Sequence, residues 1–230
     1  MPLYGCHPKI GFSGVTRVTK SGDAPATWLF DFDGTLVDSV ELIMDSLRHA
    51  TRTVLGRVIP DEVLRARVGR PLAEHMRELD IERADDLVAV YREHNMRRHA
   101  DLLRPYPGVA EMLAGLRERR ARVGIVTSKM RPAVDAGLAL VPLGEFDAIV
   151  TCEDTDRHKP DPAPVLRGLD LLGADPDSTV YVGDSPYDVQ AGRAAGVRTA
   201  AALWGAFPAT VLRAERPDRE LARPEEALAW

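Results

Sequence analysis

The chain changes rhythm twice. A short apolar run, Thr27-Trp28-Leu29-Phe30, reads as a strand. From Val40 to Leu103 the apolar residues then recur at helical spacing: Val40, Leu42-Ile43-Met44 with Leu47, Val63-Leu64, Leu72-Met76-Leu79 and Leu87-Val88-Val90-Tyr91. Gly56, Pro60, Gly69-Arg70-Pro71 and Asp80 divide that stretch into about four helices. Arg104-Pro105-Tyr106-Pro107-Gly108 breaks it and reads as a re-entry linker. Beyond the break, helix and strand alternate. Helices are predicted over 109–119, 131–140, 163–172 and 187–195, and strands over 121–126, 146–150, 178–182 and, last, 197–203.

Short apolar strands alternating with helices imply an α/β fold, a doubly wound parallel sheet covered on both faces. The expected division is a core domain over 25–39 and 107–230, with a helical domain over 40–106 inserted after the first strand. The first 24 residues carry Lys9, Arg17 and Lys20 but no apolar block suited to a signal peptide, and are expected to form a flexible tail.

Composition narrows the function classes. With 45% hydrophobic and 28% charged residues and a net charge of −5, the chain has no basic surface for nucleic acid. No apolar stretch approaches the roughly 18 residues of a membrane span. Cys6 and Cys152 are too few for a disulfide framework and lack metal-ligand spacing, so a cytoplasmic location is expected. Only four of the thirty basic residues are lysines, at 9, 20, 129 and 159. Lys129 and Lys159 lie inside polar motifs, which hints that a compact ammonium is needed there.

In a doubly wound sheet the ligand site lies beyond the carboxyl ends of the strands, and every polar motif falls at such an end. The first strand runs into Asp31-Phe32-Asp33-Gly34-Thr35. Two acids two residues apart point the same way from a strand, and the glycine lets the chain turn off and leave them exposed. The other ends carry Thr127-Ser128-Lys129, His158-Lys159-Pro160-Asp161-Pro162 and Gly183-Asp184-Ser185-Pro186-Tyr187-Asp188. Magnesium takes oxygen ligands, and phosphoryl transfer needs its oxygens neutralised and its attacker held in line. This set of side chains offers both.

In their order, the four motifs resemble those of the haloacid-dehalogenase-like (HAD) phosphohydrolases, over nearly everything from Thr27 onward. The helical insertion resembles that family's small cap. The resemblance implies Asp31 as the nucleophile that forms an aspartyl-phosphate and Asp33 as the acid and base. It implies Thr127 and the backbone N–H of Ser128 as phosphoryl ligands, and Lys159 as the cation that screens the carboxylates. Asp31, Asp184 and the backbone carbonyl of Asp33 would hold Mg2+, with Asp188 in or just behind that shell. His158 is set aside as solvent-facing.

Within the family, Asp33 favours phosphoryl transfer over dehalogenation. The absence of lysine from Val40 to Leu103 removes a Schiff-base mechanism in the cap. A sugar phosphomutase and a catalytically lapsed phosphate-binding protein stay open. In the cap, Arg70 is the expected substrate ligand, with Arg48, His49 and the segment Tyr91 to Asn95 as further candidates. Finer resemblance points to the phosphoglycolate-phosphatase-like branch, and segments 91–95, 159–166 and 196–205 are similar to HAD-type inorganic pyrophosphatases. The expected partner is a small phosphorylated metabolite or pyrophosphate, bound by a monomer or homodimer.

Overall fold

The structure, a computed structural model, describes residues 24–66 and 68–230. The tail expected over 1–24 therefore lies, Ala24 apart, outside the described residues. The chain begins with β1 (Thr27–Phe30) and β2 (Val37–Asp38), then passes through α1 (Val40–Leu55), α2 (Asp61–Arg65), α3 (Leu72–Leu79) and α4 (Ala84–Leu102). It returns through β3 (Arg104–Pro105) to α5 (Val109–Glu118), β4 (Arg122–Val126), α6 (Arg131–Leu140), β5 (Ala148–Val150) and α7 (Ala163–Leu172). It finishes with β6 (Thr179–Gly183), α8 (Pro186–Ala194), β7 (Arg198–Ala202), α9 (Ala209–Ala214) and β8 (Arg219–Leu221).

All four residues of β1 are buried, which suits a strand covered on both faces. It lies in a parallel sheet of order β5-β4-β1-β6-β7-β8. Side chains alternate across it. Trp28 and Phe30 join Met112 and Leu116 of α5 and Val134 of α6 on one face. Leu29 joins Val165 and Leu169 of α7 and Ala191 of α8 on the other. The chain leaves β1 in one direction toward β4 and β5 and in the other toward β6 to β8. The carboxyl end of β1 is thus the switch point of the sheet.

The helical stretch packs on itself. Met44 and Leu47 of α1, Leu64 of α2, Met76 of α3 and Leu87 and Val88 of α4 form a separate apolar cluster. The buried amide of Asn95 on α4 donates to Ser46 Oγ on α1 at 3.2 Å, fastening the two long helices together. Gly56 ends α1 in the left-handed conformation (φ 66°), its N–H returning to the Arg52 carbonyl. The stretch joins the sheet through a two-stranded ribbon in which Val37 faces Pro105 and Asp38 faces Arg104, antiparallel.

The strand over 197–203 is not the last one. The chain crosses back through α9 and adds β8 parallel to β7 at the sheet edge. Arg219-Glu220-Leu221 is short and charged, with only Leu221 buried, so it carries no apolar rhythm. No helix among the described residues is long and apolar enough to cross a membrane.

Candidate active site

Beyond the end of β1 the chain is pinned by the Asp31 N–H, which donates to the Val182 carbonyl of β6 at 2.9 Å. The Phe32 N–H then donates to Asp31 Oδ1 at 2.7 Å. Gly34 turns the chain at φ 76°, and a Cβ there would overlap the Asp184 carboxylate, so both backbone and space demand glycine. Asp184 lies beneath that turn. Its Oδ2 accepts from the Ala206 N–H at 2.6 Å and its Oδ1 from the Thr35 hydroxyl at 3.3 Å.

Lys159 sits between two acids, its Nζ 3.0 Å from Asp31 Oδ2 and 2.6 Å from Asp188 Oδ1. Asp188 is fixed from every side. The Tyr181 hydroxyl lies 2.9 Å from its Oδ1, and Oδ2 accepts from the Ser185 N–H at 3.0 Å and the Ser185 hydroxyl at 2.5 Å. Ser185 and Asp188 thereby form a capping box at the start of α8, with Pro186 at its first position. Asp33 faces another cation. Lys129 Nζ donates to both of its oxygens, at 2.8 and 3.1 Å. The Lys129 N–H also donates to Thr127 Oγ1 at 3.2 Å, leaving the threonine hydroxyl hydrogen for another acceptor.

Burial pushes the Asp31 carboxyl up from an ordinary 3.8 to about 7, against the pull of Lys159 and with the repulsion of Asp188 and Asp33. Burial, then Asp188 and Asp31, raises Asp184 as well. For Lys159 burial works against the charge, but Asp188 and Asp31 outweigh it and hold the ammonium. The floor is therefore short of positive charge. One carboxylate oxygen each from Asp31, Asp184 and Asp188 lie within 4.8 Å of one another. Two hard oxygen donors destabilised as bare anions, Asp31 and Asp184, with a third carboxylate close behind, fit a magnesium ion.

A cavity of about 410 Å³ opens above this floor. Asp31, Asp33, Asp184, Thr127, Ser128 and Lys129 line it from the sheet, and Ile43, Leu47, Leu72, Tyr91 and Asn95 from the helices. Ser128 Oγ donates to the Gly69 carbonyl at 3.0 Å, tying the two walls. Arg70 lines the cavity too, but its terminal nitrogens bond Glu78 Oε1 at 2.6 Å and Glu74 Oε2 at 2.9 Å. Arg48 bonds Glu41 and Asp61, and His49 stacks on His94.

The sequence matches the haloacid dehalogenase-like hydrolase family model over residues 28–202. The chain belongs to this family. It is 38% identical to pyrophosphatase PpaX of Bacillus velezensis over 201 residues, 87% of this chain and 93% of that protein. It is 40% identical over 176 residues to pyrophosphatase PpaX of Halalkalibacterium halodurans, covering 76% and 81%. Among solved structures, a Lactobacillus plantarum protein provisionally named a phosphoglycolate phosphatase superposes with a TM-score of 0.82 at 26% identity, covering 90% of this chain and 99% of that one.

In this hydrolase the structure gathers Asp31, Asp33, Thr127, Ser128, Lys159, Asp184 and Asp188 at one end of the sheet. Four contributors escaped sequence reasoning. Lys129 drew notice as a rare lysine without a partner. Thr35 and Ser185 sit inside the motifs but carried no role of their own there. The Ala206 N–H carries no side-chain signal. His158, set aside as solvent-facing, is half-buried and lines the cavity.

Proposed function

We propose that this hydrolase removes a phosphoryl group from a small anionic phosphate compound, with magnesium bound, through a phosphorylated Asp31. The observation that carries the reading is the pair of acids at the end of β1, which face one cavity but keep different company. Asp31 lies against the buried Lys159 and the acid trio, and Asp33 stands toward the cavity beside Lys129. An Asp31 oxygen attacks phosphorus as the bond to the leaving oxygen breaks, and Asp33 gives that oxygen its proton. Asp33 then takes a proton from the water that attacks the same phosphorus, releasing inorganic phosphate and restoring Asp31.

Thr127 and the Ser128 N–H hold the phosphoryl oxygens, and Lys159 screens the carboxylates. Asp31, Asp184 and the Asp33 carbonyl would hold magnesium, with Asp188 fixed behind them by Lys159, Tyr181 and Ser185. Bound there, the ion supplies charge neutralisation for the phosphoryl oxygens. The helices over 40–106 act as a cap that keeps water from the reacting bond. Pyrophosphate is favoured as substrate by the names of the relatives, and phosphoglycolate by that of the structural neighbour.

The test is phosphate release from pyrophosphate, phosphoglycolate and sugar phosphates, with magnesium and side by side. At least one of the first two should be turned over well above the sugar phosphates. Asp31→Asn should lose turnover by about 1,000-fold or more while still melting in one cooperative transition. No release from any substrate would sink the reading, and an active Asp31→Asn would remove the nucleophile.

A further inference from the structure

A substrate with a second anionic group needs a cation to receive it, and the cap was the expected source. Among the described residues, three lysine or arginine side chains line the cavity: Arg70, Arg92 and Lys129. Arg70 is committed to Glu74 and Glu78, and Arg92 is exposed at the rim. Lys129 is different. Its side chain is 9% exposed, and its ammonium contacts a single carboxylate, Asp33, through both oxygens. Lys159, by contrast, is shared between two acids and is 1% exposed. An ammonium has three donors, so Lys129 keeps at least one N–H for a ligand. Phe32, with its ring centroid 5.7 Å away, backs the charge.

Position adds the decisive step. To protonate a leaving oxygen, Asp33 must stand within hydrogen-bond reach of it. Lys129 Nζ lies 2.8 Å from Asp33 Oδ1, which sets the ammonium within about two hydrogen-bond lengths, roughly 6 Å, of that same oxygen. The helical share of the lining includes Ile43, Leu47, Leu72 and Met96, against which an anion without a partner would be costly, beside the polar His75, Tyr91 and Asn95. We propose that Lys129 is the specificity-determining residue for the leaving half of the substrate, taking the phosphoryl or carboxylate group that lies beyond the bond being broken. This rests on the phosphohydrolase reading above. It assigns the second-anion site to the sheet side of the cavity rather than to Arg70.

Lys129→Met keeps the stem and removes the charge. The measurement is kcat and KM on pyrophosphate, phosphoglycolate and ethyl phosphate, whose leaving group is small and uncharged. The ratio of kcat/KM for the anionic substrates over ethyl phosphate should fall roughly 100-fold, the scale of a lost charge-assisted hydrogen bond in a dry site. Arg70→Met should leave that ratio within about threefold. An unchanged ratio in Lys129→Met, whatever its absolute rates, would overturn the proposal and reduce Lys129 to a support for Asp33. So would a wild-type ratio near unity. If the methionine variant does not fold, Lys129→Gln, which keeps a donor but not the charge, is expected to lower the ratio roughly tenfold, and an unchanged ratio there overturns the proposal in its place. A wild-type enzyme silent on all three substrates defeats the phosphohydrolase reading itself, an outcome distinct from a working enzyme that ignores Lys129.

Discussion

Lys159 is the residue on which the charge balance of the floor turns. Its ammonium is buried between Asp31 and Asp188, so its loss leaves two acids facing each other without a cation. Lys159→Met is expected to cost about 3–5 kcal/mol in urea denaturation without magnesium, the scale for one partner removed from a buried ion pair. Adding Asp188→Asn should recover part of that loss, and strict additivity of the two would contradict the coupling. At this scale the sequence was most legible where chemistry needs a distinctive side chain beside a turn: Asp31, Asp33, Lys159 and Asp184 each end or follow a strand. Lys129 was visible as a rarity, but its partner Asp33 lies 96 positions away. The Ala206 N–H could not be read at all, because a backbone donor leaves no mark on composition.

Among the elements, α8 couples stability to the site most directly. Its capping box satisfies the first free N–H groups of the helix and also fixes the Asp188 carboxylate under Lys159. Ser185→Ala should lower stability by about 1 kcal/mol, as for other lost N-caps, and also slow turnover because the Asp188 carboxylate loses the hydroxyl that donates to its Oδ2. A variant with the stability loss but unaltered kcat would separate the cap from the chemistry. From α5 to β7 the helices were legible because each is long enough to show a period, and the strands between them because they lie in apolar runs, even the three-residue β5. The ribbon of β2 and β3 has two residues a side and includes Pro105, and β8 has three, two of them charged. Such segments are made strands by their neighbours rather than by their own residues.

For the molecule as a whole, the buried acids of the floor tie folding to protons. Asp31 is raised from 3.8 to about 7 by burial, so between those values the folded metal-free protein binds a proton that the unfolded chain releases. That contribution is fully present below about pH 4 and is lost as pH rises through about 7; Asp184 acts in the same direction. The metal-free melting temperature should therefore fall between about pH 5 and about pH 8. Magnesium should raise it by several degrees at the higher pH and by less at the lower, where protons compete for the same oxygens. A magnesium shift that is equal at both ends would contradict the site.

The ribbon that carries the chain out of the sheet also carries it back. Because Val37 pairs with Pro105, the two ends of the helical stretch emerge side by side, about 5 Å apart across an antiparallel pair. A short turn could bridge that gap without disturbing the order of the strands. The helical stretch thus leaves and rejoins the sheet side at one place. Exchanging the segment between relatives would carry the helical part of the cavity wall across that ribbon, while Lys129 and its charge would stay behind with the sheet.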